Sequence, residues 1–126
     1  HRRQRQMCIR DRSKYFIGSD IVYTNESKNL LLNDENINFD DWEELTYNLT
    51  ESSLYKYKSN VALTILGEAG PISSSKYPVG TIFICISNGE KTVISDHKMN
   101  GNRAEILERA SNKAQWELIK FIKNLY

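Results

Sequence analysis

Apolar residues along the chain fall into short runs with two different periods. Tyr15, Phe16, Ile17, Ile21, Val22 and Tyr23 predict a strand over 15–24, interrupted by Gly18-Ser19-Asp20. Asn25 reads as a helix N-cap, with Glu26 in the first turn and Leu30, Leu31 and Leu32 following. Residues 33–38 (NDENIN) are too polar for a core element and predict a loop. A second helix is expected from Asp40 or Asp41. Asp40 and Glu43 have capping-box spacing, and Trp42, Leu45 and Leu49 share one face. Val61 to Leu66 and Thr81 to Ile86 are almost continuously apolar, the pattern of strands covered on both faces by helices. Asn88-Gly89 is a hairpin signal that pairs the second of these with Thr92 to His97. From about Asn102, Ile106, Leu107, Ala110, Ala114, Leu118, Phe121, Ile122 and Leu125 recur at helical spacing and predict a long helix buried against the sheet. The expected fold is a three-layer α/β/α sandwich with a mixed, mostly parallel sheet.

Composition changes this picture at one end. Residues Arg2 to Arg12 (RRQRQMCIRDR) can be read back into codons that resemble the transposase adaptor of short-read sequencing libraries, the alternative being a basic nucleic-acid-binding arm or an Arg-rich transit peptide. Residues 1–12 are therefore expected to be an artefactual tail, and 13–126 a truncated domain lacking its first strand and helices. The chain carries 17 Lys+Arg and 16 Asp+Glu. Removing the tail's five arginines and one aspartate leaves 12 basic and 15 acidic residues, a net of −3. That balance argues against a nucleic-acid partner, which requires clustered positive charge. No apolar stretch approaches the roughly 20 residues of a membrane span. Without Cys8, Cys85 stands alone in an apolar run and reads as a core thiol in a reducing, cytoplasmic setting. Asp96-His97 has no second His or Cys at metal spacing and reads as a solvated strand end.

Three segments carry candidate chemistry. They are Val22-Tyr23-Thr24-Asn25-Glu26-Ser27-Lys28, then Gly67-Glu68-Ala69-Gly70-Pro71 with Pro78-Val79-Gly80-Thr81, then Gly101-Asn102-Arg103. In this order and spacing, the set resembles the CinA C-terminal domain family, the nicotinamide-nucleotide amidases. Members of that family look like V-T-Y-S-N-E-A-K, then G-I-A-G-P and K-P-V-G-T, then F-x-G-D-R. The resemblance covers essentially all of 13–126. It implies hydrolysis of the carboxamide of nicotinamide mononucleotide to nicotinate mononucleotide and ammonia, with no cofactor or metal, and a tendency to form homo-oligomers. It also implies a serine nucleophile in a T-A-E-S-C-T-G-G-like segment. No such segment occurs here, so the chain as given is expected to be inactive.

Each piece has a physical reason to serve that role. Lys28 lies about one helical turn past a strand end, where a partly desolvated lysine can deprotonate a serine. Tyr23 is close enough in sequence to relay the proton or orient the lysine. Taken alone, Lys28 reads as a solvated helix lysine and Tyr23 as a packed strand residue. The loop of Gly67, Ala69, Gly70 and Pro71, with Gly80 and Thr81 beyond it, offers backbone N–H groups and close main-chain approach to a substrate. It also follows the carboxyl end of a strand, where open α/β sheets bind ligands. Arg103, at the start of a helix, suits a phosphate or carboxylate. Three positions depart from the family's pattern: Glu68 is acidic where an apolar residue is usual, Ser73-Ser74-Ser75 replaces Gly-Gly, and Asn102 replaces Asp. These departures keep two further readings open, a non-catalytic nucleotide-binding module and a structural domain of a larger protein.

Overall fold

The computed structural model describes residue 32, residues 38–73 and residues 75–125. The expected 15–24 strand, most of the helix after Asn25, the 1–12 tail, Tyr23 and Lys28 lie outside the described residues. Five elements follow in order: α1 (Trp42–Tyr57), β1 (Ala62–Gly67), β2 (Thr81–Ser87), β3 (Thr92–Lys98) and α2 (Arg103–Leu125).

Helix α1 starts one residue later than the Asp40–Glu43 spacing suggested. Asp41 is the N-cap, and its carboxylate accepts from the Glu44 N–H at 3.2 Å. Its buried stripe is Trp42, Leu45, Thr46, Leu49 and Thr50, which is the i, i+3, i+4, i+7, i+8 spacing of an amphipathic helix. The two threonines are tolerated there because each hydroxyl donates to the carbonyl one turn back, Thr46 to Trp42 and Thr50 to Thr46. The helix stops at Lys58, a non-glycine residue in the left-handed region with φ 51°.

The sheet has the order β1-β2-β3, and both pairings are antiparallel. The parallel majority expected from the apolar runs is not found among the described strands. An unbroken apolar run reports burial on both faces whatever the strand direction; helices cover both faces of β2, whereas β1 is only partly covered and its Ile65 is exposed. Ile82, Ile84 and Ile86 point to one face and pack with Ile106, Ala110, Ala114 and Phe121 of α2. Leu66 and Phe83 point to the other and pack with Trp42, Leu45 and Leu49 of α1. Helix, sheet and helix thus form the three expected layers.

Only part of the apolar set on α2 is buried. Leu107 and Ile122 are exposed, as are Trp116 and Ile119, because the contact face follows the small Ala110 and Ala114, which let the helix lie close to β2. Among the described residues no helix is long and apolar enough to cross a membrane.

Candidate functional site

The 68–80 segment closes the end of the sheet where β1 leaves and β2 enters. The ladder runs one step past the strands: the Glu68 N–H donates to Thr81 O at 3.0 Å, and the Gly80 N–H donates to Glu68 O at 2.7 Å. Two residues of one limb thus oppose one of the other, a bulge with glycine in its first position. Gly80 has φ 97°, and a Cβ there would lie 2.1 Å from Met99 O. Gly70, φ 77°, has the Val79 side chain in the place of its missing Cβ. At Gly67 that place is taken by the Ile82 side chain. These three glycines therefore let the segment fold onto itself, and their side-chain space is filled by protein. The N–H groups of Glu68, Gly80 and Thr81 are used within the segment, whereas those of Ala69 and Gly70 have no backbone partner among the described residues.

Side chains fix the middle of the segment. The single Ser73 hydroxyl proton lies within reach of two acceptors, the carbonyl oxygens of Ser75 and Tyr77. Ser75 Oγ accepts from the Tyr77 N–H and donates to Glu68 Oε2 at 3.3 Å. The Tyr77 ring stacks on Trp42 with centroids 4.3 Å apart. Its hydroxyl donates to Asp40 O and accepts from the Trp42 N–H. The segment is thereby pinned to the first turn of α1, where that amide has no helical partner. Ser73 and Ser75, which sequence marked only as departures, are the hydrogen-bonding posts of the segment.

Two cations rest on its two limbs. Arg103 Nη1 donates to Gly70 O at 2.9 Å, which brings the helix-start arginine onto the glycine loop. Lys98 Nζ donates to Val79 O at 2.5 Å. Because Val79 fills the space beside Gly70, the two cations dock on adjoining limbs. Lys98 escaped the sequence reading because it ends an exposed strand, and only the β2–β3 register sets it opposite Thr81. Glu68 also opposes Thr81, so Glu68, Thr81 and Lys98 form one row across three strands. Pro71 and Thr81 flank the same loop, with Thr81 Oγ1 donating to Pro78 O.

The α2 terminus is closed by its own residues. The Asn102 carboxamide oxygen accepts from the Glu105 N–H, and the Glu105 carboxylate accepts from the Asn102 N–H, a reciprocal capping box. Asn102 is thus a helix cap. With the Glu105 carboxylate at that end, positive charge for an anion must come from the Arg103 side chain. Tyr23 and Lys28 lie outside the described residues, so their distance from this loop is not part of the geometry.

The family model for the CinA C-terminal domain matches residues 4–122. A CinA-like protein of Syntrophomonas wolfei is 31% identical over 117 residues, covering 89% of this chain and 28% of that protein. One from Petrotoga mobilis is 28% identical, covering 90% of this chain and 30% of that protein. The chain therefore spans under a third of the length of these relatives. Among solved structures, the competence damage-inducible protein A of Klebsiella pneumoniae superposes with a TM-score of 0.74 at 17% identity, covering 81% of this chain and 66% of that one. The CinA superfamily protein of Enterobacter cloacae gives 0.72 at 21% identity, covering 79% and 62%. At these identities the likeness is one of fold.

Proposed function

The chain belongs to the CinA C-terminal domain family, and from that premise we propose that it supplies the substrate loop of a nicotinamide-nucleotide amidase. The observation that carries the reading is the hydrogen bond from Arg103 to Gly70 O. It joins two family motifs, 33 residues apart in sequence, into one place with a cation beside donor-rich backbone. In the proposed reaction a serine supplied by the T-A-E-S-like segment attacks the carboxamide carbon. Lys28, assisted by Tyr23, takes the serine proton and returns it to the departing ammonia. Water then cleaves the acyl-enzyme to give nicotinate mononucleotide. The N–H groups of Ala69 and Gly70 would hold the oxyanion, and Arg103 the phosphate.

The test is ammonia release from nicotinamide mononucleotide by the gene product that includes its upstream codons, with nicotinate mononucleotide identified as the product. Lys28→Met keeps the aliphatic length and removes the base. Turnover should fall at least about a hundredfold, as general-base losses typically run about 10²- to 10⁴-fold. The 126-residue chain alone should release no ammonia. Retained turnover in Lys28→Met would make Lys28 a surface lysine. Tight binding without turnover in the parent would favour a non-catalytic nucleotide-binding module, a reading that the acidic Glu68 already invites.

A further inference from the structure

The middle of the 68–80 segment is tied to α1 through one hydroxyl. Tyr77 Oη donates to Asp40 O at 3.1 Å and accepts from the Trp42 N–H at 3.2 Å. Asp40 precedes the N-cap of α1, and Trp42 is the first residue of the helix. The phenol ring stacks on Trp42 and meets Phe83 edge-on, with centroids 4.3 and 5.6 Å away. Ring packing of this kind tolerates sliding and tilting. A hydroxyl held as donor and acceptor at once does not, because both hydrogen bonds are directional.

The main chain of the same residue carries that position into the loop. Ser75 Oγ accepts from the Tyr77 N–H, and the Tyr77 carbonyl oxygen lies within reach of Ser73 Oγ. Ser75 Oγ also donates to Glu68 Oε2, on the residue preceding Ala69 and Gly70. Two residues beyond Tyr77, the Val79 side chain fills the space beside Gly70. Ala69 and Gly70 are themselves buried, so their peptide groups move only with what packs around them.

We propose that Tyr77 is the positioning residue of this loop. Its hydroxyl, acting through Ser73 and Ser75, sets where the N–H groups of Ala69 and Gly70 point. The catalytic consequence rests on the amidase reading; the tether itself does not. Donors to an oxyanion act on charge that exists only in the transition state. A loosened loop should therefore lower turnover and leave substrate affinity nearly unchanged.

Tyr77→Phe keeps the ring and removes the oxygen. In the gene product with its upstream segment, kcat for nicotinamide mononucleotide should fall about tenfold, with KM within about twofold of the parent. Ser73→Ala should behave alike, and the double variant should also lose about tenfold, since both residues act along one path. Asp41→Ala is the control. It removes the cap on the Glu44 N–H and weakens the same helix end, so melting should fall while kcat stays within about twofold. A kcat loss in Asp41→Ala equal to that in Tyr77→Phe would mean a purely structural role and would overturn the proposal. So would unchanged turnover in Tyr77→Phe, or a double variant that loses about a hundredfold, the product of two independent effects. Amide exchange read by mass spectrometry tests the tether without turnover. Tyr77→Phe should speed exchange across 68–80 at least about tenfold, and Asp41→Ala only in the first turn of α1. A parent that releases no ammonia ends the amidase reading, and exchange alone then decides. Selective acceleration across 68–80 upholds the tether, and unchanged exchange overturns it.

Discussion

Cys85 sits at the centre of the sheet, with no exposed surface. Burial pushes its thiol above the ordinary value of 9.0, a hydrogen bond with Thr50 pulls it back in part, and the charge of Glu51 pushes it up again. A thiol whose folded value is raised holds its proton where the unfolded chain would lose it. The stability this confers is whole below about pH 9 and is lost as pH climbs through the raised folded value. Urea unfolding followed from pH 8 to 10.5 should show the parent losing more stability than Cys85→Ala. Parallel curves would remove Cys85 from the account. The thiol was legible as core because its neighbours Ile84 and Ile86 are apolar. The polar positions beside it were not: nothing in Thr46 or Thr50 announces burial, since their hydroxyls are satisfied by carbonyls of their own helix. The site divides in the same way. Arg103 and the glycine loop were readable as motifs, while Lys98 depends on strand register, which no local spacing encodes.

Helix ends show how local chemistry decides an element. Asn102 with Glu105 forms the full capping box of α2, while α1 has a cap at Asp41 and ends on Lys58 in the left-handed region. A residue with a Cβ loses roughly 1–2 kcal/mol in that conformation, and glycine does not. Lys58→Gly should therefore stabilise the protein by about 0.5 kcal/mol, the relieved strain being partly offset by the greater freedom of glycine in the unfolded chain. The urea midpoint should rise with an unchanged slope. A fall would mean that the lysine side chain contributes more than its backbone costs. The existence and type of each described element were legible from periodicity. The contact face of α2 was not, because Leu107 and Ile122 fit a helical repeat as well as Ala110 and Ala114 do, and only closeness to β2 selects the small residues.

At the scale of the molecule, the layers were readable from the apolar runs, but strand direction was not. Hydropathy records what covers a strand and is silent on which way its neighbour runs. The hairpin was the exception, since Asn88-Gly89 announced the antiparallel β2–β3 pair. The architecture that results couples the 68–80 segment to helix α1 through one ring. Tyr77 stacks on a nearly buried Trp42, while the other indole, Trp116, is 57% exposed. The protein thus carries its own optical gauge. Light emitted by Trp42 should be blue-shifted and shielded from iodide, and light from Trp116 red-shifted and readily quenched. A ligand that displaces the Ser73–Tyr77 segment must change the stacking partner of Trp42 and hence its emission. Titrating nicotinamide mononucleotide into the gene product with its upstream segment should change the spectrum of Trp116→Phe and leave that of Trp42→Phe unaltered. A response that survives in Trp42→Phe would place the sensor elsewhere. Otherwise the colour of one buried indole records whether the loop is occupied, without a label.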